Sequence, residues 1–155
     1  MTTVVTAPAA PADDTSDRRG PSGAVVVLVA TVVVAIPLLV ALFALHSPRW
    51  FPLGDLAQTE LRVRDVWSAH PPLIGLPGRI GTYPNQGSHP GPLSFYALWP
   101  AYAALGSSAF SLQAASVAVH AVAMGVTLWL AWRRAGLAMV VAIGAVLAVV
   151  LHTLG

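Results

Sequence analysis

The sequence predicts an all-α membrane protein with three transmembrane helices and an extracytoplasmic loop that carries short interfacial helices. Two observations predict this class. The 155 residues are 56% hydrophobic and only 9% charged, with a mean hydropathy of +0.72, whereas soluble domains carry about 25% charged residues. Three long apolar runs surround one polar stretch. The net charge of +2 comes from scattered arginines rather than a basic run, so we predict no nucleic-acid partner.

The chain opens with a polar tail and a first apolar run. Residues 1–22 are mainly Thr, Ala, Pro and Asp, which offer little to bury, so we predict a disordered tail. Residues 23–45 are continuously apolar and would reach about 33 Å as a helix, enough for a hydrocarbon core of about 30 Å. A secretory signal has an apolar core of only about 7–15 residues and a small-residue cleavage site. We therefore predict a transmembrane anchor, with a kink at Pro37.

The second half of the chain returns to apolar sequence in three pieces. Residues 93–105 are too short to span comfortably and contain Pro100, and several aromatic side chains recur at helical spacing, which predicts a helix lying along the membrane interface. Residues 111–132 and 136–154 are predicted as the second and third spans, joined by a tight turn. Residues 23–155 thus form one membrane domain, with residues 46–110 as its loop.

Arginine placement predicts the topology of a multi-pass protein of the plasma membrane. The tail and the turn together hold four of the eight arginines and the loop holds the other four, so the positive-inside rule alone gives a tie. The arginines of the tail and turn lie against helix ends, whereas three of those in the loop lie near carboxylates. We therefore expect a cytoplasmic N-terminus and turn and an extracytoplasmic loop. Because the sequence stops as the third span ends, we also expect a fragment of a longer protein.

Three of the six carboxylates lie in the loop, just after the first span. Asp55 is well placed to cap a helix, and Glu60 and Arg64 have the spacing of an ion pair on one helical face. These structural roles compete with a functional one, in which Asp55 and Glu60 activate a hydroxyl group or hold a divalent cation. Five residues apart, they would lie about 140° apart on a helix and could not face one metal unless the helix began after Asp55.

The rest of the loop is rich in proline and glycine. The segment His89-Pro90-Gly91-Pro92 would hold its histidine at a defined place above the bilayer, and the preceding residues predict irregular structure. Such a loop suits a binding site, and it equally suits a connector.

These motifs together resemble a known family. The order of motifs in this chain is similar to the N-terminal part of integral-membrane GT-C glycosyltransferases. The motifs are an anchor helix, then Gly-Asp-x4-Glu-Leu-Arg, a Pro/Gly loop, His-Pro-Gly-Pro-Leu-x-Phe-Tyr with an aromatic helix, and a span ending in Arg-Arg. The most similar group is that of the polyprenyl- and dolichyl-phosphate-mannose transferases. The resemblance covers about residues 23–154. It departs from the family pattern because the acidic pair is neither adjacent nor Asp-x-Asp.

The resemblance implies specific roles. Asp55 would act as the catalytic base or a metal ligand, with Glu60 in support, and His89, Tyr96 and Arg64 would bind the substrate. A divalent cation, Mg or Mn, would be the cofactor. Membrane lipids and a polyprenyl-phosphate sugar donor would be the partners, together with further C-terminal spans or partner subunits, and the chain alone would be inactive because the loops that bind the donor phosphate are missing.

The function expected from this resemblance is transfer of a sugar from a polyprenyl-phosphate-linked donor to an extracytoplasmic acceptor. The alternative is a non-catalytic integral membrane protein, either a transporter-like subunit or an assembly scaffold. The two differ at Asp55, because an enzyme requires this carboxylate to face a cavity and a scaffold does not.

Overall fold

The computed structural model describes residues 22–46, 51–78, 80–82, 85–89 and 91–154, so the predicted disordered tail lies outside the described residues except for Ser22. Within these ranges the chain forms four α-helices and one short 3₁₀ turn, and its β structure is limited to a single isolated bridge. The all-α class is thereby confirmed. The elements are α1 (Gly23–Ala44), α2 (Asp55–Arg64), the 3₁₀ turn Asp65–Trp67, α3 (Leu93–Ala104) and α4 (Ala109–Leu154).

Two of these helices are long and apolar enough to cross a membrane, namely α1 and the segment Ala109–Thr153 of α4. In their most apolar windows only 17% and 11% of the residues are buried. The core helix of a soluble protein would bury most of its apolar surface, so this extensive exposure favours a lipid environment. The α1 helix continues through Pro37 and matches the first predicted span to within one residue.

The long helix α4 is interrupted at Ala135 and Gly136, whose backbone angles are not helical. Gly136 has a φ of 66°, which glycine adopts without the steric cost of a Cβ. A Cβ built on Gly144 would lie 4.0 Å from the Leu128 side chain, although 16 residues of straight helix would separate them by about 24 Å. The chain therefore reverses at the break, and residues 109–134 pack against residues 137–154.

The α1 helix packs against both arms of α4. Val27 shares a buried cluster with Leu128 and Val140, which come from the first and second arm respectively. Gly23, at the start of α1, lies against the Trp132 ring. At the other end of α1, the His46 ring meets Phe110 edge-on with centroids 5.0 Å apart.

These contacts fix the ends of the bundle. The start of α1 and the Arg133–Arg134 turn lie at one end, and the loop that follows α1 lies at the other. The topology predicted from the arginine positions requires the turn and the loop to lie at opposite ends, and which end faces the cytoplasm stays a prediction.

The loop is held to the bundle by its own hydrophobic cluster. Val63 and Val66, from α2 and the 3₁₀ turn, pack with Phe95 and Tyr102 of α3 and with the first turns of α4. The α3 helix has 12 residues and would extend about 18 Å, too little to cross a bilayer. Its predicted position along the membrane interface stays a prediction.

Between the 3₁₀ turn and α3 the chain forms a short irregular hairpin rather than a regular element, as its prolines and glycines predict. Pro77 and Ser88 form the isolated bridge, and the His89 amide donates to the Leu76 carbonyl at 2.8 Å. Gly75 lies so close to the His89 carbonyl that an added Cβ would overlap that oxygen. The close approach of two backbones explains why glycine is needed there.

Candidate functional site

The helix that carries the acidic residues begins one residue earlier than it would if Asp55 were its N-cap. Gly54 occupies the N-cap position with φ 57° and ψ −127°, and Asp55 is the first helical residue. The prediction that Asp55 is the N-cap is therefore wrong. The physical reason is that Gly54 adopts a backbone conformation open to glycine and turns the chain directly into the helix. An exposed carboxylate in the first turn still interacts favourably with the helix dipole.

Glu60 and Arg64 belong to a polar network at the junction of α2 and α3. Arg64 Nη2 donates to Glu60 Oε1 at 2.6 Å, which confirms the predicted ion pair. Arg64 Nε donates to the Tyr102 hydroxyl at 2.8 Å. That hydroxyl lies 2.9 Å from Glu60 Oε1 and 3.0 Å from the Ser107 carbonyl, so both acceptors are within reach of its one proton. A carboxylate, a guanidinium and a phenol thus meet at one point.

Burial distinguishes the members of this network. Glu60 is 8% exposed and Tyr102 only 1% exposed, whereas Arg64 is open to solvent on its outer side. A buried carboxylate requires a positive partner and hydrogen bonds to offset the loss of water, and Arg64 and Tyr102 supply them. The network therefore explains Glu60 as a structural residue that fixes α2 on α3.

The pKa values of the two partners follow from this geometry. Burial raises the pKa of the Tyr102 phenol above its ordinary value, while the hydrogen bond from Arg64 acts in the opposite direction. The hydrogen bonds from Arg64 to Tyr102 and to Glu60 raise the pKa of the guanidinium, so Arg64 is charged at any physiological pH. The site consequently contains a permanent cation beside a neutral phenol.

A turn at the end of α3 completes the network by presenting the Ser107 carbonyl. Gly106 and Ser107 both have positive φ, at 93° and 53°. The Ser107 amide donates back to the Tyr102 carbonyl at 3.0 Å, and Ser108 Oγ accepts from the Ser111 amide at 3.2 Å, as helix-capping side chains do. The polar turn therefore ends α3, begins α4 and holds the network in place.

Tyr96 belongs to a second group, which is aromatic. Its ring meets Trp67 edge-on with centroids 6.2 Å apart, and Trp67 also meets Trp99 at 5.8 Å. The Tyr96 hydroxyl donates to the carbonyl of the buried Pro72 at 3.4 Å. These contacts join the loop to the outer face of α3, and the predicted role of Tyr96 in substrate binding stays a prediction.

His89 lies at the end of the irregular hairpin with an exposed side chain. Its backbone is fixed by the hydrogen bond to Leu76 and by the close approach of Gly75. The histidine is therefore held at a defined position, as its flanking prolines predict, but on a different element from the Glu60 network. Its predicted contact with a substrate stays a prediction.

An open groove of about 280 Å³ runs beside α2. Its apolar walls come from the segment before the helix and from one face of α2, and its polar walls are Glu60 and Arg64. The lining residues are Phe51, Pro52, Ala57, Glu60, Leu61 and Arg64. The groove combines exposed apolar side chains with the Arg64 guanidinium, whose Nη2 is already bonded to the Glu60 carboxylate in the same wall, so the anionic group of an amphiphile could bind only at its outer, exposed edge. Asp55 is not among its lining residues.

The acidic residues do not form a metal site within the described part of the chain. No three His, Asp or Glu side chains gather there in an arrangement that could hold an ion. Glu60 turns inward to Arg64, while Asp55 is exposed, in agreement with the expected angle of about 140° between them. A Mg or Mn site on these two carboxylates does not fit this geometry.

Sequence reasoning missed the residue at the centre of the network. Tyr102 entered the prediction only as one aromatic of an interfacial helix, yet its hydroxyl joins positions 38 and 42 residues away along the chain. The available signal was a hydroxyl-bearing aromatic next to the polar Gly106-Ser107-Ser108 turn. No family model, no curated protein and no solved structure matches this chain.

Proposed function

We propose that this chain forms the first spans and the first extracytoplasmic loop of a GT-C-type membrane glycosyltransferase. Such an enzyme transfers a sugar from a polyprenyl-phosphate-linked donor to an acceptor outside the membrane. The proposal rests on the motif resemblance described above. The observation that supports it best is the groove beside α2, where the Arg64 cation lies among exposed apolar side chains at the loop end of two helices able to cross a membrane.

The carboxylates of Asp55 and Glu60 have different roles in this enzyme. Asp55 is exposed at the start of α2 and is the candidate base for the acceptor hydroxyl. Glu60 is already bonded to Arg64 and Tyr102, so its role is to position Arg64. Arg64 keeps an outward-facing side chain at the groove, where a guanidinium can bind a phosphate through two parallel hydrogen bonds. His89 and Tyr96 would shape the approach of the donor from the loop side.

The proposed topology has three spans, formed by α1 and the two arms of α4, with the tail and the Arg133–Arg134 turn in the cytoplasm. The two arms of α4, residues 109–134 and 137–154, would be about 39 Å and 27 Å long at 1.5 Å per residue. These lengths support three spans, because a hydrocarbon core is about 30 Å thick. Since the chain contains no cysteine, single-cysteine variants need no background substitutions. A membrane-impermeant maleimide added to intact cells should label Ser88→Cys and leave Ser16→Cys unlabelled. Labelling of Ser16→Cys alone would invert the topology.

A second candidate function is a non-catalytic membrane subunit or scaffold. The observation that favours it is the Glu60–Arg64–Tyr102 network, which accounts for two of the predicted site residues by structural roles alone. The placement of Asp55 outside the lining of the groove also agrees better with this candidate. The two candidates differ in whether any chemistry depends on Asp55.

The test measures sugar transfer from polyprenyl-phosphate-linked donors in membranes that contain the natural full-length gene product. Asp55→Asn removes the proton acceptor and retains the size of the side chain. Loss of the charge near the helix N-terminus costs about 0.3–1 kcal/mol of stability at most. Loss of a general base lowers the rate about 10²–10⁴-fold, equivalent to about 3–5 kcal/mol in the activation barrier.

Asp65→Asn is the matched control, since it removes a carboxylate from the adjoining 3₁₀ turn to which no catalytic role is assigned. It should retain activity within about twofold, and both variants should accumulate to the wild-type level. Full transfer by Asp55→Asn would reject the catalytic role of this residue. Absence of transfer by the wild-type protein with every lipid-linked sugar tested would reject the enzyme and leave the scaffold.

A further inference from the structure

The aromatic group on the outer face of α3 belongs to a larger exposed apolar surface. We call this surface the aromatic platform and define it as Trp67, Leu73, Ile74, Leu93, Tyr96 and Trp99. Three of its members are strongly exposed, with Trp67 at 72%, Leu73 at 77% and Leu93 at 78%. Exposed tryptophan and leucine on a water-facing loop would be costly, so this surface requires an apolar or amphipathic environment.

The platform is preorganised rather than a set of loose side chains. Trp67 lies edge-on to both Tyr96 and Trp99, and the Tyr96 hydroxyl fastens Pro72 to α3. Leu73 and Ile74 follow Pro72 directly, and Leu93 lies one turn before Tyr96 on α3. Residues 67–74 of the loop are therefore fastened to α3 at Trp67 and Pro72, and both the loop segment and the helix carry exposed apolar side chains.

We propose that this aromatic platform inserts into the lipid at the surface of the membrane, on the side from which α4 enters the bilayer. Residues 67–74 of the loop then contact the membrane together with α3. The polar face of α2 is left as the part of the loop that meets water.

Three observations favour lipid over a protein partner. First, α3 packs on Leu112 and Ala115 in the first turns of α4, so the platform adjoins a helix long and apolar enough to cross a membrane. Second, Trp and Tyr are the residues that concentrate at membrane–water interfaces, where the ring is buried and its polar atom stays hydrated.

Third, the platform contains no charged side chain. The carboxylate nearest in the sequence is that of Asp65, which precedes Trp67 by two residues in the 3₁₀ turn, so the two side chains lie about 120° apart. His70, which lies between Trp67 and Leu73 in the sequence, is exposed. A surface of this composition matches the interfacial region of a bilayer.

The test uses the natural protein, reconstituted into phosphatidylcholine–phosphatidylglycerol vesicles, with single nitroxide labels on introduced cysteines. Leu73→Cys and Leu93→Cys place labels on the platform. Gln58→Cys on α2 and Gln86→Cys in the hairpin are the controls, because both positions are exposed and polar. Collision rates are measured with oxygen, which concentrates in lipid, and with a water-soluble nickel chelate.

Labels on the platform should collide at least several-fold more with oxygen than with the nickel chelate, and the control labels should show the opposite ratio. Equal ratios at Leu73 and Gln58 would place the platform in water and overturn the proposal. Labels at Leu73 and Leu93 that are immobilised and shielded from both reagents would show a protein partner instead, which would also overturn it. Since neither outcome involves sugar transfer, failure here is distinct from failure of the proposed enzyme activity.

Discussion

Replacement of Tyr102 by phenylalanine would test whether the polar network holds the loop on the bundle. The substitution removes one oxygen and leaves the ring in the cluster with Val63 and Phe95. That oxygen accepts from the charged Arg64 at 2.8 Å and lies 2.9 Å from the charged Glu60. Hydrogen bonds to charged groups contribute about 1.5–3 kcal/mol each.

The expected loss is smaller than the sum of two such bonds, because Glu60 retains its 2.6 Å bond to Arg64. We expect Tyr102→Phe to lower the free energy of unfolding of the loop unit by about 2–4 kcal/mol. At about 2–4 °C per kcal/mol for a chain of this size, the Tm should fall by roughly 5–15 °C.

Tyr96→Phe is the matched control. It removes the same atom from another tyrosine of α3, where the hydroxyl makes a neutral bond of 3.4 Å. Its cost should stay below about 1 kcal/mol. Thermal unfolding in lipid nanodiscs, followed by tryptophan fluorescence, reports on this unit because Trp67 and Trp99 lie within it. A Tm for Tyr102→Phe no lower than that for Tyr96→Phe would refute the stabilising role of the network.

Two further predictions concern pH and backbone packing. Burial raises the pKa of the Tyr102 phenol, so the stability that this group contributes is complete below the pKa of the unfolded state, about 10, and is lost as the pH rises through the higher pKa of the folded state. Between pH 9 and 11.5 the Tm should therefore fall more steeply for the wild type than for Tyr102→Phe. Parallel curves of Tm against pH would contradict this prediction. Gly75→Ala should destabilise the hairpin by more than about 1 kcal/mol, because its Cβ would overlap the His89 carbonyl oxygen. Gly87→Ala is the control and should be nearly neutral, because a Cβ there would have no neighbour within 4 Å. Equal amide hydrogen exchange of the hairpin in the two variants would show that the close approach is not required.

The sequence by itself determined the apolar helices and the character of the loop. Long runs of Val, Leu and Ala between polar segments are sufficient to place α1 and α4, because burial in lipid requires only length and composition. The Glu60–Arg64 pair was also predictable, since residues four apart on a helix are neighbours whatever surrounds the helix. Proline and glycine in residues 75–92 likewise predicted irregular structure, because their backbone preferences are local.

The tertiary structure decided which side chains meet. Nothing in the spacing of α2 indicates that Glu60 turns inward, because that depends on α3 packing across it and bringing Tyr102 to the same point. The backbone angles of Gly54 displaced Asp55 from the capping position. The tight turn between residues 132 and 136 was predicted from the sequence, but which side chains of the two arms of α4 pack together was not. The contacts of Trp67 with Tyr96 and Trp99 also depend on tertiary packing, because they join residues that lie far apart in the sequence. Local periodicity fixes the face on which a residue lies, whereas contacts between distant residues depend on how the helices pack, and one-dimensional spacing does not contain that information.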